Sequence, residues 1–334
     1  MTLTGKDLKP LAQGATDVVE HDGYLRFLRF TEGEASVIDS PNLLHPAGVQ
    51  LEFKTDGTQL RLGGRTIDIF RVRSYYAIDV LVNGTLIGYI GNLKDEDATG
   101  NYAWRDYPNG HFLGDFSLGK GEKTVRIVLP HSTLTEFLEV TIEGATYITP
   151  VKREKTLLVY GDSITQGYDA LHPSATYAVR LADAMGATLY NKAIGGAQFA
   201  PAPAEAPAGV KPDIILVAYG TNDWTCRTRE ELERNTRHFF ETLTAQQPGI
   251  PIYAITPIWR KECEVEKPFG SFADLATMIT EICAAYPTVR VINGFDLVPH
   301  EEQYFGDLCL HPNDAGFAEY AASLLKELEN RAKL

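Results

Sequence analysis

The sequence contains few of the features that define several large protein classes. Its 334 residues include only four cysteines, which are widely spaced and predict reduced thiols rather than a disulfide framework or a zinc site. The longest apolar runs, such as residues 214–219, are too short to span a bilayer. The first residues lack the apolar core of a secretory signal. We therefore expect a cytoplasmic protein with no membrane partner.

Positive charge is also scarce. The chain has 31 lysines and arginines against 44 aspartates and glutamates, a formal net charge of −13, which argues against nucleic acid as a partner. It contains no Gly-x-Ser-x-Gly elbow, Walker loop, Gly-x-Gly-x-x-Gly or His-Glu-x-x-His. The chemistries that belong to those motifs are therefore not predicted.

The first half of the chain alternates apolar and polar side chains, as half-buried strands do. The alternation runs from about residue 48 to residue 145. Asn83-Gly84 separates two such runs and predicts a tight hairpin, because both turn positions favour a positive φ. We predict an antiparallel β-sandwich domain, jelly-roll-like, over residues 1–150.

In the second half, short strand-like runs alternate with helical patterns. The predicted strands cover residues 156–160, 188–192, 213–219, 251–255 and 289–292. This alternation predicts a parallel sheet with helices on both faces and a site at the carboxyl ends of the strands. We therefore expect an α/β domain over residues 151–334, with a loop at residues 200–209 along the same edge.

The first of these strands ends in Gly161-Asp162-Ser163. A serine directly after a strand and close to glycine can present its hydroxyl at the sheet edge and act as a nucleophile. The alternative is that Ser163 only caps the following helix, as serine often does.

Two further blocks follow the next two strands. Asn222, in Tyr219-Gly-Thr-Asn-Asp223, can aim its amide at a developing oxyanion, or it can close an Asx turn. Gly195-Gly196 lies where a second oxyanion donor, a backbone N–H, would be needed, although such a pair also suits a plain turn.

The last block, Asp307-Leu-Cys-Leu-His311, precedes the final helix. His311 can accept the Ser163 proton, while Asp307 fixes the imidazole tautomer and stabilises the imidazolium. The alternative is a surface histidine beside helix-capping residues.

These blocks, in this order, resemble those of the SGNH (GDSL-type) hydrolase family, and the resemblance covers roughly residues 155–334. It implies a three-layer α/β/α fold, ester hydrolysis without a metal or cofactor, and acetylated sugars among the substrates. It also implies a Ser163–His311–Asp307 triad and an oxyanion hole made by the Ser163 N–H, Gly196 and Asn222. One departure is that Asp307 lies four residues before His311, where the family has three. The N-terminal half resembles the β-sandwich that precedes this domain in certain bacterial carbohydrate esterases.

We accordingly predict a serine esterase that removes short acyl groups, acetyl first, from a carbohydrate alcohol. Four large side chains beyond the strand ends are candidate substrate contacts: Tyr168, Trp224, Trp259 and Arg260. Aromatic faces beside a few polar groups suit a sugar ring, although aromatic residues fill loops as readily. A lipase would need a long aliphatic groove, and these loops contain no run of Leu, Ile or Val.

Three other functions remain open from the sequence. An acyltransferase would use the same residues with an alcohol in place of water. A lipase or lysophospholipase-like esterase would differ in acyl length, and a non-catalytic sugar-binding protein would keep the site only as a relic. The sequence also leaves open whether the protein forms a homo-oligomer.

Overall fold

The computed structural model describes residues 1–69, 72–94, 98 and 101–332. Eleven strands in this part of the chain precede residue 151, and they form two antiparallel sheets. These strands are β1 (Ala12–Gln13), β2 (Asp17–His21), β3 (Tyr24–Leu28), β4 (Gln50–Thr55), β5 (Gln59–Ile67), β6 (Ala77–Val82), β7 (Thr85–Gly91), β8 (His111–Ser117), β9 (Lys123–Val128), β10 (Leu134–Glu143) and β11 (Ile148–Pro150).

The two antiparallel sheets share one hydrophobic core. One sheet has the order β1-β4-β9-β6-β7, with β11 paired to β4, and the other has the order β2-β3-β10-β5-β8. Phe53 of the first sheet and Phe137 of the second are both fully buried in the same cluster. The predicted hairpin at Asn83-Gly84 joins β6 to β7, and both residues have a positive φ, of 50° and 83°.

The remaining five strands form a parallel sheet of order β13-β12-β14-β15-β16. They are β12 (Lys155–Gly161), β13 (Ala187–Asn191), β14 (Ile214–Ala218), β15 (Ile252–Ile255) and β16 (Val289–Ile292). Adjacent strands run parallel in every pair, from β12 with β13 through β15 with β16. The strand after β12 along the chain, β13, therefore lies on one side of it, and β14 lies on the other.

Helices cover both faces of this sheet. The α-helices of the described residues are α1 (Gly5–Leu8), α2 (Glu32–Val37), α3 (Ser163–Gln166), α4 (Tyr177–Met185), α5 (Ala202–Glu205), α6 (Thr221–Cys226), α7 (Arg229–Gln246), α8 (Phe272–Cys283) and α9 (Asp314–Ala332). The apolar stripes of α4 and α9 pack into one cluster, and those of α7 and α8 pack into another. Among the described helices, none combines the length and apolar character that a membrane crossing requires.

Buried charged side chains join the two parts of the chain. The Arg29 guanidinium, which has almost no exposed surface, donates to the carbonyl oxygens of Asn191 and Ala193 at 2.6 and 3.0 Å. The Lys192 ammonium lies 2.7 Å from Oε2 of Glu34, and both side chains are buried. These contacts fix the loop after β13 against the segment that includes α2.

The predicted architecture, an antiparallel β-sandwich followed by a three-layer α/β/α domain, is confirmed. The exact boundary between residues 150 and 151 stays a prediction. Two details differ from expectation. Strands β1 to β3 were not predicted, since they lie before residue 48, where the sequence shows no clear alternation. Two of them, β2 and β3, are mostly half-buried, so their apolar and polar residues need not alternate. The predicted loop at residues 200–209 contains the short helix α5.

Candidate active site

Ser163 is the first residue of α3, immediately beyond β12. Asp162 caps this helix, and its carboxylate accepts a hydrogen bond from the Ile164 N–H at 2.9 Å. Gly161 is required here because a Cβ atom at this position would lie 2.3 Å from Oγ1 of Thr165. Burial raises the pKa of Asp162 to about 6. The capping alternative therefore applies to Asp162, and the Ser163 hydroxyl is left for other contacts.

The Ser163 hydroxyl meets the His311 imidazole. Oγ of Ser163 lies 2.7 Å from Nε2 of His311, and Nδ1 of His311 lies 2.7 Å from Oδ2 of Asp307. With a proton on Nδ1 held by Asp307, Nε2 is the basic nitrogen that faces the hydroxyl. The structure thus brings together all three residues of the predicted triad, and their catalytic roles stay a prediction.

The Asp307 carboxylate is held in place and kept ionised. Its Oδ1 accepts hydrogen bonds from the backbone N–H groups of Cys309, Leu310 and His311 at 2.8 to 3.1 Å. Burial on its own would raise the pKa of the Asp307 carboxyl, but the hydrogen bonds from the His311 ring and these N–H groups lower it well below its ordinary value. Asp307 is therefore ionised at neutral pH.

The extra residue between Asp307 and His311 is accommodated by one unusual backbone conformation. Leu308 has a φ of +61°, in the left-handed region that non-glycine residues seldom adopt. This conformation turns the chain tightly enough for Asp307 to contact the backbone and the ring of His311 together. The departure from the family spacing therefore leaves the Asp–His contact intact.

The two predicted oxyanion donors lie on the loops that flank Ser163. The strand order places the loop after β13, which carries Gly196, on one side of β12, and α6 after β14, which carries Asn222, on the other. The Asn222 amide donates to the Ala197 carbonyl at 3.0 Å and so ties the two loops together. Gly196 is exposed, has a φ of +78°, and its N–H makes no hydrogen bond with a described residue. The role of both as oxyanion donors stays a prediction.

Asp223, next to Asn222, supports this arrangement. Its two carboxylate oxygens accept hydrogen bonds from the Phe199 N–H at 3.0 and 3.2 Å. Burial raises the pKa of Asp223 to about 7. Asp223 is fully buried and faces the loop rather than the cleft, so we assign it a structural part in positioning the Gly196 loop.

Four residues near His311 come from the N-terminal half, and the sequence did not predict them. The Arg73 guanidinium lies 3.4 Å from Nδ1 of His311 and pairs with Asp169, while Tyr75, Tyr102 and Trp104 surround this pair. Asp169 is missed as well, although it lies only six residues after Ser163. The sole local signal for Asp169 is that aspartate tolerates the left-handed region, and its φ is +71°.

Asp169, Asp307 and His311 are the only group of potential metal-ligand atoms found among the described residues, all within 4.8 Å of one another. Arg73 already pairs with Asp169, with Nε 2.5 Å from Oδ1, and its Nη2 lies 3.7 Å from Oδ2 of Asp307. The positive charge beside these carboxylates is thus supplied by Arg73, and we assign no metal ligands here.

Two of the predicted substrate contacts, Trp224 and Tyr168, are buried, and their part in substrate binding stays a prediction. Trp224 has no exposed surface, packs against Phe272 with ring centres 4.9 Å apart, and donates from Nε1 to the Gly270 carbonyl at 2.9 Å. Tyr168 is only 3% exposed, and its ring lies 5.8 Å from that of His311. Burial raises the pKa of its hydroxyl to about 12. Both side chains are packed inside the protein.

The other two predicted contacts stay predictions. Trp259 is half-buried, and its ring stacks on that of His300 at 5.5 Å with an angle of 11° between the planes. Arg260 is mostly buried, and its Nη1 donates to Oγ1 of Thr221 at 3.3 Å. Thr221 precedes Asn222, so Arg260 contacts the segment that carries this candidate oxyanion donor.

The part of the chain that carries this site matches a known protein family. Residues 159–318 match the model of the GDSL-like Lipase/Acylhydrolase family. The C-terminal domain belongs to this family. The match confirms the predicted SGNH (GDSL-type) identity and, with it, the enzyme class, a serine hydrolase acting on carboxylic esters. No curated protein matches the sequence significantly.

Solved structures extend the likeness of this GDSL-type protein beyond the matched domain. A salicylyl-acyltransferase from a tetracycline biosynthetic pathway is 20% identical with a TM-score of 0.80, over 100% of this chain and 98% of that one. A family two carbohydrate esterase from Cellvibrio japonicus is 18% identical with a TM-score of 0.66, over 99% and 97%. An acetyl xylan esterase from the rumen bacterium Butyrivibrio proteoclasticus is 17% identical with a TM-score of 0.58, over 86% and 90%. At these identities the likeness is one of fold, and it includes the N-terminal sheets.

Proposed function

We propose that this GDSL-type protein is a serine esterase that removes short acyl groups, acetyl first, from carbohydrate or similar small alcohols. The observation that carries the proposal is the continuous chain of short contacts from Oγ of Ser163 through the His311 ring to Asp307, each 2.7 Å long. A nucleophile, a base and a group that orients the base are the minimum that acyl transfer through a covalent intermediate requires.

In the first step, Oγ of Ser163 attacks the ester carbonyl carbon while its proton passes to Nε2 of His311. The carbonyl oxygen becomes an oxyanion, which receives hydrogen bonds from the Ser163 N–H, the Gly196 N–H and the Asn222 amide. The bond between carbon and the alcohol oxygen then breaks, and His311 returns its proton to that oxygen. The free alcohol leaves, and the acyl group stays on Ser163.

In the second step, water attacks the acyl carbon and His311 takes its proton. The bond to Oγ of Ser163 breaks, the proton returns to Oγ, and a carboxylic acid is released. Asp307 stays ionised throughout and stabilises the imidazolium in both steps, because its hydrogen bonds hold it in that state.

A cavity beside Gly196 supports a small substrate. It has a volume of about 330 Å³ and lies between residues 37–40 of the N-terminal half and residues 194–203, the segment that includes Gly196. Its lining combines apolar groups, including Ile38 and Ile194, with a few polar ones, including Gln198 and Arg227. Pockets for small ligands have this size and mixture, roughly 300–1,000 Å³ with few polar groups.

The carbohydrate part of the proposal is supported by the fold likeness to a carbohydrate esterase and an acetyl xylan esterase. The likeness to a salicylyl-acyltransferase over the whole chain favours a second candidate, an acyltransferase in which an alcohol replaces water in the second step. Both candidates use the same acyl-Ser163 intermediate and differ only in what attacks it.

One set of assays separates these candidates. Hydrolysis of 4-nitrophenyl esters of graded acyl length, beside acetylated xylo- and manno-oligosaccharides, should be fastest for acetyl, and Ser163→Ala should abolish it. Faster hydrolysis of octanoyl than of acetyl esters would contradict the short-acyl proposal and favour a lipase. Transfer of the acyl group to an added alcohol in preference to water would favour the acyltransferase. A fluorophosphonate that fails to label Ser163 would leave a non-catalytic sugar-binding protein.

A further inference from the structure

The His311 imidazole faces two carboxylates rather than one. Nδ1 of His311 lies 2.7 Å from Oδ2 of Asp307 and 3.8 Å from Oδ2 of Asp169. Asp169 belongs to the loop that follows α3, and its side chain has no exposed surface. Two unscreened carboxylates at these distances would both favour a proton on the imidazole.

Arg73 compensates this second negative charge. Its guanidinium forms a two-point contact with Asp169, with Nε 2.5 Å from Oδ1 and Nη2 3.3 Å from Oδ2. Nη2 also lies 3.7 Å from Oδ2 of Asp307 and 3.4 Å from Nδ1 of His311. Nδ1 of His311 carries a proton when it hydrogen-bonds to Asp307, and Nη2 of Arg73 carries protons as well. Both nitrogens are therefore donors, and the contact between Arg73 and His311 brings like partial charges together.

Side chains of the N-terminal half hold this pair. The Tyr102 hydroxyl donates to the Asp169 backbone carbonyl at 2.5 Å, and the Tyr75 hydroxyl lies 3.4 Å from Oδ1 of Asp169. The Trp104 ring covers the Arg73 guanidinium, with its centre 4.1 Å from Cζ, and is itself 61% exposed. The pair is therefore shut off from water on the side where the N-terminal half meets the active site.

We propose that Arg73 and Asp169 form a charge-balanced pair that positions His311 and sets how readily it takes up a proton, so that the N-terminal domain completes the catalytic site. The part of this inference that concerns kcat/KM rests on the proposed function, and the part that concerns protonation of the His311 ring does not. Arg73 and Asp169 are positioning residues, since they act through His311. Removing the positive member should favour the imidazolium, and removing the negative member should disfavour it.

Within the part of the chain that the structure describes, the charged and titratable groups that face the His311 ring come from four places. They are Asp307 on its own loop, Asp169 and Tyr168 after α3, Asp162 and Ser163 at the end of β12, and Arg73 from the N-terminal half. Burial raises the pKa of Asp169, against the opposing effects of His311 and Arg73. Without Arg73, Asp169 can take up a proton itself and limit the change at His311. Asp169→Asn is free of this complication because an amide does not titrate, and it also keeps the side-chain shape.

The test is the acid limb of kcat/KM against pH for 4-nitrophenyl acetate, together with an NMR titration of the His311 ring. Asp169→Asn should move the midpoint of both curves to lower pH by about one unit or more, and Arg73→Gln should move it to higher pH. The double variant Arg73→Gln/Asp169→Asn should return the midpoint towards that of the wild type. Arg73→Lys, which keeps the positive charge, should move the midpoint less than Arg73→Gln does. Arg126→Gln is the matched control, because it removes another ion pair between the two halves, Arg126–Asp183, away from His311.

Opposite movements in the two single variants support the proposal. An unchanged midpoint in Asp169→Asn, or movement in the same direction as in Arg73→Gln, overturns it. If Arg73→Gln does not fold, the direction in which the midpoint moves in Asp169→Asn decides alone. If the wild type hydrolyses no ester, the proposed function fails, and the NMR midpoints still decide the inference.

Discussion

Oγ of Ser163 and Nε2 of His311 lie 2.7 Å apart, although 148 residues separate them in the chain. Ser163→Ala and His311→Ala should each reduce kcat by a factor on the order of 10⁶, and the double variant should be little worse, because the two residues act as one unit. Asp307→Ala should be milder, since Asp307 acts by orienting and stabilising the base. Steady-state kinetics of the four variants measure this. Equal severity of Asp307→Ala and Ser163→Ala would refute the ranking, and no effect of Asp307→Ala would reveal a Ser–His dyad.

The left-handed conformation of Leu308 leads to a second prediction. Leu308→Gly should keep wild-type activity, since glycine adopts this conformation without strain. Leu308→Val should lower kcat, because a β-branched residue resists a positive φ and would displace Asp307 from the His311 ring. Leu308→Ala serves as the size control. Equal kinetics for the glycine and valine variants would show that the turn does not depend on this backbone conformation.

Trp224 and Trp259 should respond differently to truncation. Trp224→Ala removes a fully buried side chain and should lower the free energy of unfolding by about 3–5 kcal/mol. Trp259→Ala removes a half-buried ring and should raise KM for acetylated oligosaccharides more than for 4-nitrophenyl acetate. Denaturant unfolding and the two KM values distinguish these effects. A sugar-specific KM change in Trp224→Ala at unchanged stability would contradict this expectation and support a substrate contact for Trp224.

Two buried histidines should make stability depend on pH. Burial lowers the pKa of His45 to about 3 and that of His131 to about 4, whereas both titrate near 6.5 when unfolded. The unfolded chain therefore binds more protons, and each histidine should remove on the order of 1–2 kcal/mol of stability between pH 7 and pH 5. Asp162, whose pKa burial raises to about 6, acts in the opposite direction over part of this range.

His45→Gln is the variant that tests this. Its free energy of unfolding should fall less between pH 7 and pH 5 than that of the wild type, because glutamine does not titrate. Glutamine also offers an oxygen that can accept the hydrogen bond from Gln166 in place of Nδ1. An identical fall in both proteins would show that His45 is not the titrating group.

Chelation should leave activity unchanged. The carboxylates beside His311 already face the Arg73 guanidinium, so the proposed chemistry needs no added cation. Activity measured after prolonged dialysis against EDTA, and again after adding back divalent metals, tests this. A loss that a metal restores would refute the metal-free mechanism.

The sequence predicted the parts of the site that depend on local order. Ser163, Asn222 and His311 each follow or precede a recognisable strand or helix, and the sheet topology then brings such ends together. Arg73 could not be found in this way, because its contact with Asp169 spans 96 residues and no periodic pattern marks it. The burial of Trp224 could not be predicted, because proximity to a strand end does not determine which way a helix turns its side chains.

The buried pair Lys192–Glu34 limits how this protein can have diversified. Recombination that joined the GDSL-type domain to a different N-terminal partner would leave Lys192 without its carboxylate, a loss that typically costs 3–5 kcal/mol in a buried site. The same exchange would remove Arg29 from the loop after β13 and Arg73 from His311. We therefore expect the two halves to be inherited together, with residue changes across their junction occurring in matched sets.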